Sequence, residues 1–438
     1  MAYPEAPGRN DGAPRLSRAA QQGADTTAGE WSEAVPGYGE DMSETYELLA
    51  IGGGPAGLAA ARAYREAGGR GAVAIVADEQ RMPYNRPPLT KDLLRGESDE
   101  DALPIEEESW LGEHEVALVG GRAVALDAAE RTVLLSGGRA LGYRHCVLAT
   151  GAEPVRLPVP GADDPAVRVI RTLDHLRELQ ARLNPGDPVV VIGSGFIGCE
   201  IAASLRMRGH PVSLVSDESA PNARRLGDEA GAVISRWLAD LGIALTLGEE
   251  VSRINRDERR LTVATGSREL RAPVVVMAGG VAPRGELAAA SGLELHDGAI
   301  PVDAAMRTEI DGLLAAGDVA FALNAAAGRH LRVEHWGDAL GQGATAGQTA
   351  AGQDVEWDAV PGFWSTIGER TLKYAAWGDG YDATSIDRGG DGSFAIWYGL
   401  DGRIVGVLAH ERDDSYERGR ELIAAGAAWP DEARARRM

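Results

Sequence analysis

Two stretches of this chain, "YELLAIGGGPAGLAAARAYREAG" and "DPVVVIGSGFIGCEIAASLRMRGHPVSLVSDES", repeat one pattern about 140 residues apart. In the first, an apolar strand from Leu48 to Ile51 runs into G-x-G-x-x-G at Gly52, Gly54 and Gly57, then into a helix ending near Gly68. Glycines at this spacing allow a tight turn, close backbone approach to a pyrophosphate and close packing of helix on strand; the helix N-terminus offers aligned N–H groups to the anion. A second strand, "AVAIVADE", ends in Asp78 and Glu79, where a carboxylate can accept hydrogen bonds from ribose hydroxyls. The later copy has a strand from Val189 to Ile192, glycines Gly193, Gly195 and Gly198, a helix to Arg208, and a strand from Val212 to Val215 leading to Asp217. One glycine pattern is a weak signal, but two complete strand–helix–strand units, each closing on an acid, imply two dinucleotide sites in an α/β protein.

The rest of the composition narrows the setting. At 438 residues the chain is long enough for two or three cores. It has no run of about 18 apolar residues, so no membrane span is expected, and a cytoplasmic location is. A formal charge of −22 disfavours nucleic acid and anionic membranes as partners. Cys146 and Cys199, the only cysteines, are 53 positions apart, so the sequence contains neither a C-x-x-C redox pair nor a thiolate metal site; both read as packed thiols, and no metal is expected. Met1 to about Glu44 is rich in Pro, Gly, Ala and acidic residues and is expected to be a disordered tail. Because "MSETYELLAIGGG" begins at Met42, directly before the first strand, translation starting there is a hypothesis that N-terminal sequencing of natively expressed protein would decide.

Further apolar strands close on "VLATGAEP" and "VVVMAGGVAP", followed by "GLLAAGDVA" with Asp318. This order resembles the FAD-dependent pyridine nucleotide oxidoreductases, over about residues 45 to 435. The resemblance implies two Rossmann-like dinucleotide-binding domains, the first for FAD and the second for NAD(P), plus a C-terminal α+β domain. The boundaries it suggests are an FAD-binding part over 45–160, an NAD(P)-binding domain over 161–276, a second FAD-binding part over 277–355 and the C-terminal domain over 356–438. Where the disulfide reductase branch carries a cysteine pair, this chain has "YNRPPLTK", similar to the Y-D-R-P-P-L-S-K signature of oxygenase-coupled ferredoxin reductases, with Asn85 and Thr90 as departures. Pro87 and Pro88 fix φ and bias preceding residues to extended geometry, delivering Lys91 in a defined direction at the start of a helix.

The family's site residues carry over one position at a time. Lys91 is implied to sit near the flavin and to pair with Glu200. Ala56, Asp78, Val124 and Arg171 match flavin-contacting positions, Arg86 is a neighbour of the FAD phosphates, and Asp318 of the Gly-Asp pair binds the ribityl or phosphate region. Trp336, in "LRVEHWGDALGQGATAGQTAAG", matches the position that packs on the isoalloxazine, while Val124 and Trp336 taken alone also read as core. Ile197 joins the glycines of the second loop as a nucleotide contact. Ser216 occupies the place where a strand-end acid is expected, with Asp217 next. Asp217 and Glu218 would repel a 2′-phosphate, and Arg224 and Arg225 would attract one if the loop folds back, so NADH is favoured over NADPH.

Downstream, "VPGFWSTIGERTLKYAAWGDGYD" and "FAIWYGLDGRIVGVLAH" read as strands joined in part by a hairpin turn at Asp401-Gly402, and "SYERGRELIAAG" as a closing helix. The resemblance as a whole implies an FAD enzyme that takes a hydride from NADH and passes electrons to a [2Fe–2S] ferredoxin serving an oxygenase, acting as a monomer or homodimer. Two rivals share the flavin core: an NADH oxidase or monodehydroascorbate-type reductase, and a redox-signalling flavoprotein of the apoptosis-inducing-factor type.

Overall fold

The computed structural model describes residues 44–430, and the expected tail and the alternative start at Met42 lie outside them. Strands Val116–Gly120, Val73–Ala77, Thr45–Ile51 and Ala140–Leu148 lie side by side in that order, all parallel. The far edge of Ala140–Leu148 is shared between two partners. Its start pairs antiparallel with Thr132–Leu135 of a hairpin, and its last three residues pair parallel with Leu313–Ala315. The chain therefore returns to its first sheet late in the sequence, which brings Asp318 beside the first glycine loop.

The second sheet runs Ala244–Leu247, Val212–Ser216, Val189–Ile192, Val274–Met277 and Val167–Arg168, again all parallel. Val189–Ile192 and Val274–Met277 are unbroken apolar runs, as parallel strands covered on both faces should be. Val189 and Val191 pack with Ile201, Leu205 and Ile234 of helices Phe196–Met207 and Ala223–Asp240. Val190 and Ile192 pack on the opposite face with Leu261 and Val263 of an antiparallel ribbon. Ala152–Pro154 and Val281–Pro283, where the chain passes between the first sheet and the second, pair antiparallel with each other.

A third, antiparallel sheet is ordered Gly362–Ile367, Arg370–Ala376, Arg403–His410, Phe394–Leu400 and Ala383–Arg388, with helix Asp413–Ala424 against it. Asp401 and Gly402 turn its hairpin with φ of +50° and +71°, the geometry that favours an Asp-Gly pair. Together the two parallel sheets and this sheet give the expected fold class, two Rossmann-like units with a C-terminal domain.

One helix contact sets the position of the first glycine loop. Helix Pro55–Glu66, which starts at that loop, packs on helix Trp336–Ala350. At Gly343 and Gly347 the backbones approach so closely that an added Cβ would lie 2.3 Å from the Ala56 carbonyl oxygen and 2.1 Å from that of Ala60.

Candidate active site

The two glycine loops are built alike. Gly52 N donates to Val76 O at 2.9 Å, and Gly193 N donates to Val215 O at 2.8 Å. A Cβ on Gly52 (φ +133°) would sit 2.1 Å from Ala149 O, and one on Gly193 (φ +104°) 2.2 Å from Ala278 O. A Cβ on Gly57 or Gly198 would meet the Gly52 or Gly193 carbonyl oxygen at 2.1 and 2.0 Å. The first and third glycines of each loop are thus required by the protein's own packing. The middle ones are not: a Cβ on Gly54 or Gly195 meets nothing within 4 Å. Both are N-caps of helices with no side-chain cap, and both line one cavity of about 1380 Å³. Open space over a bare backbone, with free helix N–H groups behind it, fits a pyrophosphate at each loop. The volume exceeds the roughly 300–1,000 Å³ of a common small-molecule pocket, as two extended dinucleotides would require.

Between the two loops lies a buried ion pair. Lys91 Nζ donates to Glu200 Oε2 at 2.8 Å, with the side chains only 9% and 2% exposed, and both residues line the cavity. Thr90 Oγ1 donates to the same oxygen at 2.6 Å, and Ser365 Oγ, from the third sheet, donates to Oε1 at 2.6 Å. A carboxylate out of water is matched here by three hydrogen-bond donors, one of them an ammonium. Of the 44 basic side chains only two are lysine, Lys91 and Lys373, so a compact ammonium at this place stands out in a chain that otherwise uses guanidinium.

The turn that delivers Lys91 departs from expectation. Arg86, before the two prolines, is helical (φ −80°, ψ −29°) rather than extended, and Pro87–Thr90 form a 3-10 turn that leads into Lys91 as N-cap of Asp92–Arg95. The usual pre-proline bias is overridden because the Arg86 guanidinium is held elsewhere: Nη1 donates to Arg171 O at 2.7 Å and Nη2 to Glu79 Oε1 at 2.8 Å. Tyr84 donates to Glu79 Oε2 at 2.6 Å and accepts from Leu173 N; burial pushes its phenol up to about 12, so it remains a donor. Arg171 in turn pairs with Asp318 at 2.5 Å. Glu79, Arg86, Arg171 and Asp318 thus form one chain of charges along the wall beside the first loop.

Of the residues singled out from sequence, Gly57, Gly193 and Asp217 do not line the cavity; the others do. Val124 is 48% exposed at the rim, which removes the reading of it as core. Trp336 opens helix Trp336–Ala350, its buried indole N–H has no acceptor among the described residues, and its ring meets that of Trp364 edge-on at 5.9 Å. Ser216 is buried and its hydroxyl bonds that of Ser194 at 2.8 Å, while Asp217 is turned to Arg224. Sequence reasoning missed Ser365, a partner of Glu200, and Trp364, part of the site's wall; it named Glu218 as a charge facing a 2′-phosphate but chose Asp217 as the nucleotide contact. For Glu218 a signal existed, since it stands two residues past its strand's apolar end at Ala77-like Ser216, as Glu79 does past Ala77; Ser365 had none. Cys146 and Cys199 are both fully buried, burial pushes their thiols up, and neither lines the cavity.

Comparison with known proteins agrees with this geometry. The family described as pyridine nucleotide-disulphide oxidoreductase matches residues 46–343. The chain is 34% identical to rhodocoxin reductase of Rhodococcus erythropolis over 383 residues, 86% of this chain and 89% of that protein. Among solved structures it is similar to the ferredoxin reductase for the CYP199A2 system of Rhodopseudomonas palustris (TM-score 0.83, 31% identity, 89% of this chain and 98% of that one). It is also similar to a covalent putidaredoxin reductase–putidaredoxin complex (TM-score 0.82, 26% identity, 89% and 96%). With two glycine loops facing one cavity and a family match over more than half its length, the chain belongs to the pyridine nucleotide-disulphide oxidoreductase family.

Proposed function

We propose that this FAD- and NAD(H)-using oxidoreductase is an NADH:ferredoxin reductase, supplying single electrons to a [2Fe–2S] ferredoxin that serves an oxygenase. FAD, when bound, accepts two electrons together as a hydride and can release them one at a time. The observation that carries the proposal is the composition of the cavity wall: a buried ammonium, Lys91, fixed by Glu200, and no thiol. A disulfide relay needs a dithiol at the ring; this site offers a fixed positive charge instead.

Each residue has a part in holding the two nucleotides for that exchange. Gly54 and Gly195 let phosphates approach the backbone, and Asp318 and Arg171 stand beside the first loop for the sugar-phosphate portion of FAD. Lys91 favours negative charge next to it, the more so because its surroundings exclude water. Trp336, Trp364 and Phe363 form an aromatic wall that restricts access to one side. Glu200 keeps the ammonium in place through a geometry that Thr90 and Ser365 complete.

Stopped-flow mixing tests the reading. NADH should bleach the yellow protein rapidly, and mixing the reduced protein with a panel of [2Fe–2S] ferredoxins should restore the colour in step with reduction of at least one of them. A reduced protein that persists with NAD bound and passes electrons to no ferredoxin would overturn the proposal in favour of the signalling alternative.

A further inference from the structure

The rim of the second unit contains four charged side chains whose arrangement the general fold does not dictate. Ser216, at the strand end, is not available to a ribose because its hydroxyl is bonded to that of Ser194. Asp217 does not line the cavity; its Oδ2 lies 2.5 Å from Arg224 Nη2. Glu218, Arg224 and Arg225 do line it, and the Glu218 carboxylate accepts the Arg224 backbone N–H at 3.0 Å. The loop has folded back, closed by Asn222 in the left-handed region (φ +58°) with its amide on Ser194 O at 3.2 Å.

Resting on the proposed reading that this unit takes the nicotinamide nucleotide, we infer that Asp217 and Arg224 form a latch that makes the site select NADH. Glu218, and not Asp217, is the carboxylate that reads the ribose. Asp217, Glu218 and Glu250 all bear on the Arg224 guanidinium, so the rim presents more negative than positive charge around it. A 2′-hydroxyl can donate to Glu218 without penalty. A phosphate there, carrying about −1.5 to −2 charges by analogy with phosphorylated side chains, meets those carboxylates while the nearest fork-shaped cation is already engaged. Arg225 also lines the cavity, but the three carboxylates outnumber the two guanidinium groups of this loop. The Arg224 and Asp217 side chains are 68% and 44% exposed, so the pair is a surface ion pair of small net strength that one substitution can open. Once free, Arg224 has the planar, bidentate geometry suited to a phosphate.

The test compares binding of 5′-AMP and 2′,5′-ADP to the FAD-loaded protein by calorimetry, because these ligands differ only in the 2′-phosphate. Asp217→Asn should shift the ratio of the two affinities toward 2′,5′-ADP by about tenfold, and the NADPH/NADH ratio of kcat/KM should move in the same direction. Arg224→Ala added to it should return the ratio to its starting value. Arg224→Ala alone should leave the ratio within about twofold, because the latched guanidinium contributes nothing to a 2′-phosphate. This arm can overturn the latch even if the Asp217 variant does not fold. An unchanged ratio in Asp217→Asn, a gain that survives loss of Arg224, or a large loss of 2′,5′-ADP binding in Arg224→Ala alone would each overturn the latch. Failure of both ligands to bind any variant would overturn the assignment of this unit to the nicotinamide nucleotide as well, whereas failure to reduce a ferredoxin leaves the ratio unaffected.

Discussion

Glu200 is only 2% exposed, and Thr90, Lys91 and Ser365 all donate to its carboxylate. Removing one member of a buried pair leaves the other uncompensated, at a cost of about 3–5 kcal/mol, whereas replacing both by apolar groups of similar volume is close to neutral. Glu200→Gln should therefore lower the urea midpoint strongly and slow reduction by NADH, while Glu200→Gln combined with Lys91→Met should recover most of the stability and none of the rate. Stability returning together with rate would show that the pair is structural. A second carboxyl gives a pH signature. Burial lifts the Glu334 carboxyl above its ordinary range against the pull of Arg332 at 3.2 Å, and the Asp318 charge adds to the lift. The fold thus holds that proton more tightly than the unfolded chain, so stability from this group is present at low pH and is lost as pH rises through the folded pKa. Glu334→Gln should be more resistant to urea than the wild type at pH 7, with the gap closing at about pH 4 and below, where both states of the wild type are protonated. A gap of constant size across that range would rule out titration as its cause. At this scale sequence and structure agree where the chemistry is local: Lys91 follows its two prolines, and Glu79 follows its strand. They part at Asp217 and Glu218, adjacent acids of which the sequence cannot say which one a nearby arginine will engage.

Among the elements, helices Pro55–Glu66 and Trp336–Ala350 are the pair on which the first glycine loop depends. Gly343 and Gly347, one turn apart, let the second helix lie against the backbone of Ala56 and Ala60. Gly347→Ala would place a methyl 2.1 Å from the Ala60 carbonyl oxygen, backbone that cannot swing aside as a side chain would. Overpacking of this kind costs about 1–3 kcal/mol. The helix must shift and carry the loop above it, so FAD should be released at lower urea than the unfolding transition itself, read by flavin fluorescence against far-UV dichroism. Coincident transitions would show that the loop does not depend on this contact. The glycine loops were legible because each is a contiguous stretch whose steric needs reside in its own residues. The proline turn was only half legible: its position was right, but Arg86 is helical because Glu79 and the Arg171 carbonyl hold its guanidinium, and the latter partner lies 85 residues away.

At the scale of the whole molecule, three lobes meet at one carboxylate. Glu200 belongs to the second unit, Thr90 and Lys91 come from the first, and Ser365 comes from the edge strand of the third sheet, 165 positions along the chain. Nothing in a serine within "FWSTI" announces such a partner, which is why this part of the site could not be read in advance: the contact exists only because the third sheet is docked. The Ser365 side chain is fully buried and Glu200 Oε1 is its bonded partner at 2.6 Å, so the hydroxyl has a single task that a mutant cycle can isolate. Ser365→Ala removes a hydrogen bond to a charged group, worth about 1.5–3 kcal/mol, and with it one of the three constraints that orient Glu200 toward Lys91. Alone it should lower the urea midpoint and slow reduction by NADH several-fold. In a Glu200→Gln background, where no charge remains to be stabilised, the same substitution should cost only the about 0.5–1.5 kcal/mol of a neutral hydrogen bond, and leave the already slow rate where it was. Equal losses in the two backgrounds would mean that Ser365 serves the packing of its own sheet. A coupling of the expected size would mean instead that docking of the third sheet sets the charge in the cavity, and that loosening this sheet alters electron transfer without touching either nucleotide loop.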